Sequence, residues 1–462
     1  MFDLVAIGSG PGGYVAAIRA AQLGMKVALV EKENIGGVCL NYGCIPTKAL
    51  LKSAQVLHYA HTAAEYGVEL PTPAVPNFAN VIARSRGVAE NMRKGVEFLL
   101  NKNKVELIQG AGRLLEAGKV EVSDVAHRVS IVEAKHIIVA TGARARELPM
   151  LPVDGKKILG YRHALTFDRL PKSMLVVGSG AIGSELAYFY AMMGTKVTIL
   201  ESLPQIAPNC DADVSRQLDR SLRKYGIHTM VLAQLLEVDT SGELCRVEAQ
   251  SKKGVEQLEV EVILSAVGVQ ANIEHIGLER LGIAVENGKI KVDEFYETNA
   301  AHVYAIGDII ATPALAHVAS AEAIACVEKL AGLDVNPINY AAIPSCIYTS
   351  PEVASVGVTE QQAQDKGLDF KVAKLPYTAS GKAVASGARD GFVKLICDAK
   401  TDKILGAHLV GANVTEMLAE PTLAMNLGLT AHQIGSGIHA HPTMSEAIME
   451  AAEAIHGKSV HI

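Results

Sequence analysis

The chain has 462 residues, too many for one hydrophobic core, so three or four domains are expected. Hydrophobic residues make up 49 % and charged residues 20 %, the balance of an ordinary globular enzyme. A formal net charge of −6, no tryptophan and 5 % aromatics argue against a nucleic-acid partner, and no apolar run is long enough to span a membrane.

The chain enters a buried strand at once, with Phe2-Asp3-Leu4-Val5-Ala6-Ile7-Gly8. A secretory signal needs a basic start, a longer apolar stretch and a small-residue cleavage site. The sequence therefore predicts a cytoplasmic enzyme, or one of an organellar matrix whose presequence has been removed. Residues 2–31 read as strand, glycine-rich turn, helix and strand, and they end in Glu31. Gly8, Gly10 and Gly13 make a G-x-G-x-x-G. The first glycine permits the tight turn, the second lets backbone approach a pyrophosphate, and the third lets helix and strand pack closely. The free N–H groups and partial positive charge of the helix start then favour phosphate.

The run from Gly36 to Lys48 follows, carrying Cys39 and Cys44 five positions apart, just before a helix that Pro46 suits in its first turn. The positive helix end and Lys48 favour a thiolate there, the species that disulfide exchange needs. Two inert buried cysteines, or half a zinc site, fit the residues too. No further ligands stand at a matching spacing, so no metal is expected. The other cysteines, Cys210, Cys245, Cys326, Cys346 and Cys397, are scattered singly and read as small buried hydrophobes. Seven cysteines in a long chain are no structural disulfide framework and fit a reducing compartment.

Residues 50–104 read as helical, interrupted by a proline-rich loop at 71–76. Residues 105–142 read as strands ending in Ala140-Thr141-Gly142, and 143–172 as a linker. Residues 174–201 repeat the first unit, with Gly178, Gly180, Gly183 and a closing Glu201. Two such copies, each in full βαβ context, imply two dinucleotides. A third block, about 270–341, ends its strand signal at Ala305-Ile306-Gly307-Asp308. Antiparallel strands are expected at 353–358, 370–375, 392–397 and 404–410, then helices. Near the end, His439-Ala440-His441-Pro442-Thr443-Met444-Ser445-Glu446 precedes an alanine-rich helix. His441 titrates in the range that thiol deprotonation needs, with Glu446 to orient it. Alternatively, Thr443 and Glu446 form a helix capping box, and His439 is a surface histidine without a role.

The 36–48 run, the two fingerprints, Ala140-Thr141-Gly142, Ala305-Ile306-Gly307-Asp308 and His441-Pro442-Thr443 stand in one order. Together they resemble the class I pyridine nucleotide-disulfide oxidoreductases over essentially the whole chain. The resemblance implies an α/β fold with two Rossmann-like nucleotide-binding domains, for FAD and NAD, plus an α+β C-terminal dimerisation domain. The boundaries would be 1–145 for FAD and the redox disulfide, 146–269 for NAD, 270–342 for a central domain completing the FAD site, and 343–462 for the dimer contact. It implies Cys39 as the interchange thiol, Cys44 as the flavin-side thiol, and Lys48 near flavin N5 paired with Glu185. Glu31 would hold the FAD ribose, Gly112 the adenosine portion and Asp308 the ribityl chain, although a helix cap also explains Asp308. Thr141, Gly142, Gly268 and Ala316 would border the cofactors. His441 would be the acid–base, oriented by Glu446 and reaching the cysteines of the second subunit of a homodimer.

Within that family, Glu201 favours NAD, because a carboxylate repels the 2′-phosphate of NADP. No arginine follows until Arg216. The segment Pro313-Ala314-Leu315-Ala316-His317 resembles the dihydrolipoamide-oxidising branch. The implied reaction is oxidation of protein-bound dihydrolipoamide with reduction of NAD. The implied partners are lipoyl domains of 2-oxo acid dehydrogenase complexes or of the glycine cleavage system. The alternative is another disulfide reductase of the family, similar to glutathione or mercuric reductase. One departure stands out: after Gly268, where the family often carries basic residues, the chain reads Val269-Gln270-Ala271-Asn272.

Overall fold

The computed structural model describes residues 1–461. Residues 1–49, 82–146 and 268–338 form one compact unit, and residues 50–81, 147–267 and 339 onward form a second.

The first unit is built on strand Phe2–Ile7, whose last four residues are all buried. A strand covered on both faces has no use for alternation, which is why Leu4-Val5-Ala6-Ile7 is a continuous apolar run. It pairs in parallel with Val27–Glu31 and Val129–Val139. Glu106–Gln109 and Val303–Ala305 add parallel strands at the two flanks. Strand Val129–Val139 serves two environments. Its first half alternates and pairs antiparallel with Lys119–Ser123, and its buried end joins the parallel sheet. Helix Pro11–Gln22 follows the central strand and buries Ala16, Ala17 and Ala20, small residues that allow close packing.

The second unit repeats this winding. Ser173–Val177 lies between Lys196–Glu201 and Val262–Ser265, with His228–Val231 and Ile158–Leu159 outermost, all parallel. The antiparallel strands Gln234–Asp239, Cys245–Ser251 and Gly254–Val260 precede the parallel strand Val262–Ser265, as 111–123 precede 134–139 in the first unit. The 143–172 segment is more than the expected linker. Ala143–Ala145 pairs with Val269–Ala271, Ile158–Leu159 completes the parallel sheet, and Tyr161–Ala164 is a helical turn. The prolines and glycines there mark bends between short pieces, and the buried Ile158 and Leu159 carry the sheet edge.

From residue 345 the unit holds a five-stranded antiparallel sheet in the order Ser345–Ile347, Glu352–Gly357, Ile404–Gly411, Phe392–Asp398, Phe370–Pro376. Ser345–Ile347 was not expected from the sequence, since three residues are too short to show a period of two. Helix Glu446–Ala454 buries Ala447, Ile448, Ala451 and Ala452 in this core. One cation lies inside the unit. Lys394, 2 % exposed, meets Asp211 at 2.9 Å, Asp213 at 3.0 Å and Glu360 at 2.6 Å. Of the cysteines expected to be buried, Cys245, Cys326 and Cys397 are, whereas Cys210 and Cys346 are only half-buried. Among the described residues no helix is long and apolar enough to cross a membrane. No group of three His, Cys, Asp or Glu among them could hold a metal ion.

Candidate active site

The two fingerprints fold into near-identical cradles. Gly8 and Gly178 both have φ of 98°, a left-handed conformation that favours glycine. A Cβ at either would lie 2.4 Å from a carbonyl oxygen, of Ala140 or Ala266. A Cβ on Gly13 would come within 1.8 Å of the Gly8 oxygen, and one on Gly183 within 2.1 Å of the Gly178 oxygen. Gly10 and Gly180 differ in kind: a Cβ there would meet nothing within 4 Å. Each is the N-cap of its helix, with no side-chain cap on the exposed N–H groups. Open space before an uncapped helix start fits a pyrophosphate in both cradles.

The closing acids are matched as well. Glu31 Oε2 accepts from Ser9 N at 2.9 Å and Ser9 Oγ at 2.6 Å, and Glu201 Oε2 accepts from Ser179 N and Oγ at the same distances. Oε1 accepts from Glu33 N at 2.7 Å in the first and from Leu203 N at 2.9 Å in the second. The remaining lone pairs suit ribose hydroxyls. Ser9 and Ser179 were missed by sequence reasoning. Their signal was the identical Gly-Ser-Gly in both repeats.

The redox segment begins against the first cradle. Gly36 N donates to Ser9 O at 3.0 Å, and a Cβ on Gly37 would lie 2.7 Å from Gly10 Cα. Helix Gly37–Tyr42 ends at Gly43, and helix Cys44–His61 starts at the second cysteine. Cys39 and Cys44 form a disulfide with Cα atoms 4.8 Å apart. Asn41, buried, donates to the carbonyls of Ile35 and Gly37 at 2.9 Å each and so fixes the short helix. Lys48 stands one turn beyond Cys44 on the same helical face.

Other expected residues fall around the first sheet. A Cβ on Gly112 would press on Ile7 and Val30 at 3.1 Å. Thr141 Oγ1 donates to Asn272 O at 2.6 Å, and Asn272 Nδ2 returns a bond to Thr141 O at 3.0 Å. Gly142 has φ of 67° and Gly268 φ of 101°. The departure after Gly268 is thereby explained in part. Asn272 is a structural tie, and the cation of this ribbon is Arg144, bound to Asn272 and, through both terminal nitrogens, to Glu274 at 2.9 Å. Asp308 is not a helix cap, since Ile306 precedes the turn Gly307–Ile309. Burial pushes its carboxyl up from the usual range, against the opposing charge of Lys289. Ala316 opens helix Ala316–Leu330.

In the second unit, Glu185 is 3 % exposed and accepts from Tyr348 N at 3.0 Å. His441 Nδ1 lies 2.8 Å from Glu446 Oε1, while Glu446 Oε2 accepts from Thr443 N at 2.7 Å. Glu446 therefore bonds both groups weighed for it, the His441 ring and the Thr443 N–H. The capping box is only half formed, because Thr443 Oγ1 donates to Ala440 O instead. Burial works to raise the Glu446 carboxyl, but the Thr443 N–H and His441 hold it below the usual carboxylate range. His439 is not a surface residue: its side chain is 12 % exposed and meets Glu420 at 2.9 Å.

A family model described as pyridine nucleotide-disulphide oxidoreductase matches residues 2–323, and the dimerisation domain of that family matches residues 343–452. The chain belongs to this family. As a pyridine nucleotide-disulphide oxidoreductase it is a flavoprotein that uses FAD and NAD, with two Rossmann-like domains and a C-terminal dimerisation domain. Dihydrolipoyl dehydrogenase of Zymomonas mobilis is 48 % identical across all of this chain and 99 % of its own length. The enzyme of that name from Bacillus subtilis is 44 % identical over all of this chain and 99 % of its own. The structure of LpdA from Mycobacterium tuberculosis superposes with a TM-score of 0.91 at 28 % identity, over 98 % of this chain and 99 % of that one. The HOCl-induced flavoprotein disulfide reductase RclA from Escherichia coli does so with a TM-score of 0.86 at 27 % identity, over the same shares.

Proposed function

We propose that the protein, as a homodimer, oxidises protein-bound dihydrolipoamide to lipoamide and reduces NAD to NADH. The observation that carries this reading is the Cys39–Cys44 disulfide at a helix start, seated through Gly36 and Gly37 against the first dinucleotide cradle. Relatives named dihydrolipoyl dehydrogenase, matched over their full length, support the choice of substrate. FAD is assigned to residues 1–145 and 270–342, NAD to 146–269 and the dimer contact to 343–462.

The acid–base dyad removes a proton from a substrate thiol. Nδ1 of His441 is committed to Glu446, which leaves Nε2 for the thiol. The resulting thiolate attacks Cys39 Sγ, a mixed disulfide forms, and Cys44 leaves as a thiolate at the positive end of its helix. The second substrate thiol, losing its proton to solvent, attacks the substrate sulfur of the mixed disulfide; the bond from that sulfur to Cys39 breaks, lipoamide departs, and Cys39 becomes a thiol by taking the proton held at His441. Two electrons now reside in the Cys39/Cys44 dithiol, and bound FAD supplies the relay that carries them to NAD. The net change is dihydrolipoamide plus NAD to lipoamide, NADH and one proton. Lys48 is assigned to the flavin edge. Glu31, Gly112 and Asp308 are assigned to FAD, with Thr141, Gly142 and Ala316 bordering it. Glu201 and Gly268 are assigned to NAD. Glu201 is fixed by bonds donated by Ser179 and Leu203, and its carboxylate repels the 2′-phosphate of NADP.

The physiological electron donor would be a lipoyl domain of a 2-oxo acid dehydrogenase complex or of the glycine cleavage system, in the cytoplasm or an organellar matrix. The test is NADH formation by purified yellow protein given NAD and free dihydrolipoamide. Rapid formation with NAD and poor formation with NADP is expected. A flavin-loaded dimer inert to dihydrolipoamide but active with NADPH and glutathione disulfide would overturn the reading.

A further inference from the structure

We infer that Lys394 is a positioning residue for the adenosine end of the NAD site, acting through Asp211 and the segment 205–211. This rests on the assignment of NAD to residues 146–269 given above. Lys394 stands in strand Phe392–Asp398 of the antiparallel sheet, and Asp211 is the N-cap of helix Ala212–Lys224. The two are 2 % and 1 % exposed within one chain, so a second subunit only deepens their burial. An ammonium has three N–H donors, and this one meets three carboxylates, of Asp211, Asp213 and Glu360. Burial works to lower the Lys394 ammonium, but its bonds to Glu360, Asp211 and Asp213 raise it above its ordinary range. A buried ion cluster adds little net stability over apolar packing of the same volume, so what it supplies here is a fixed place for Asp211.

From Asp211 the segment runs back to the second cradle. Cys210 N donates to Ala207 O at 2.9 Å, and Gln205 Nε2 donates to Cys210 O at 2.9 Å. Ala207 N donates to both O and Oγ of Ser179 at 3.2 Å each. Ser179 Oγ directs its one hydrogen to Glu201 Oε2 at 2.6 Å. By accepting from Ala207, the hydroxyl is turned toward Glu201, the carboxylate assigned to the NAD ribose. Ala207 makes this contact with φ of 49°, a left-handed conformation that is unfavourable for alanine and persists only where its surroundings impose it. Asp211 is the only charged residue in 205–211, and Lys394 holds it at 2.9 Å. The strained contact that orients Ser179 is therefore anchored at Lys394, in a strand of the C-terminal sheet.

The experiment compares flavin-loaded wild type with Lys394→Met, Asp211→Ser and the double variant Asp211→Ser with Ala207→Gly. Lys394→Met removes the anchor outright and loses stability. Asp211→Ser keeps a good helix cap and leaves Lys394 two carboxylates, so it is the variant that stays folded. Calorimetry gives the Kd for ADP-ribose, which carries the adenosine end without the nicotinamide. Stopped-flow absorbance gives the rate at which dihydrolipoamide reduces the flavin without NAD. In Asp211→Ser the Kd for ADP-ribose and the KM for NAD are expected to rise roughly tenfold, the scale of one lost hydrogen bond to a charged group. The flavin reduction rate should stay at the wild-type value. The added Ala207→Gly should recover most of the affinity, because glycine adopts the left-handed conformation without an anchor. Wild-type affinity in Asp211→Ser, a parallel fall in flavin reduction, or no recovery in the double variant would each overturn the inference. A wild type whose flavin dihydrolipoamide does not reduce would sink the proposed function instead, and the ADP-ribose affinities would still decide whether Lys394 positions this site.

Discussion

Replacing Glu446 by glutamine separates its two tasks. The carboxylate gives one oxygen to Thr443 N–H at 2.7 Å and the other to His441 Nδ1 at 2.8 Å. A glutamine side chain has only one oxygen. If that oxygen stays with Thr443, the amide nitrogen faces His441 Nδ1 and favours the tautomer with hydrogen on Nε2, the wrong atom for taking a proton from the substrate thiol. A hydrogen bond to a charged group contributes about 1.5–3 kcal/mol. His441 is 78 % exposed in the single chain, so solvent screening favours the lower end. About 1.5 kcal/mol corresponds to roughly a tenfold fall in kcat/KM for dihydrolipoamide. Steady-state NADH formation measures this, with NADH-dependent ferricyanide reduction as the control that should not change. Thermal unfolding should also be nearly unchanged, because the Thr443 bond is kept. A Glu446→Gln enzyme with wild-type kcat/KM would refute the assignment of Glu446 as the group that orients His441.

The buried cation gives a stability prediction. Lys394→Met leaves Asp211, Asp213 and Glu360 without their shared partner and is expected to cost about 3–5 kcal/mol in urea unfolding; a cost below about 1 kcal/mol would mean the cluster is hydrated. Burial works to raise the Asp211 carboxyl, but Lys394 and the Glu360 N–H hold it below its ordinary value. A carboxyl lowered in the folded state stabilises above its unfolded value and loses that contribution as pH falls through the folded one. Wild type should therefore weaken below about pH 4, where Lys394→Met should show a shallower acid slope by circular dichroism. Gly183→Val places a side chain 2.1 Å from the Gly178 oxygen, so KM for NAD should rise tenfold or more while the protein stays yellow. Loss of colour instead would assign that cradle to the flavin. Cys44→Ser should abolish the long-wavelength band that appears on reduction, and a surviving band would move the flavin-side role to Cys39.

The local pattern already carried the cofactor cradles, because they are made by backbone. Where a turn needs φ near 98° and a helix packs so closely that a Cβ on Gly13 would fall 1.8 Å from a carbonyl oxygen, only glycine serves, and the spacing of Gly8, Gly10 and Gly13 is visible in one dimension. The duplication at Gly178, the cysteine pair and the long strands of the C-terminal sheet were legible for the same reason. Periodicity and fixed spacing are short-range properties. What the tertiary structure decided were the partners of side chains distant in sequence. Lys394 stands amid apolar residues in strand Phe392–Asp398, and only folding brings Asp211, 183 positions away, to its ammonium. His439 read as a bystander until helix Ala419–Leu427 placed Glu420 beside it. The segment 143–172 read as a linker because its strands are too short to show a period, and its Ile158–Leu159 is a strand only because Val262–Ser265 lies alongside. Such pairings are set by the closing of chain loops, and composition or spacing alone does not specify which loops close.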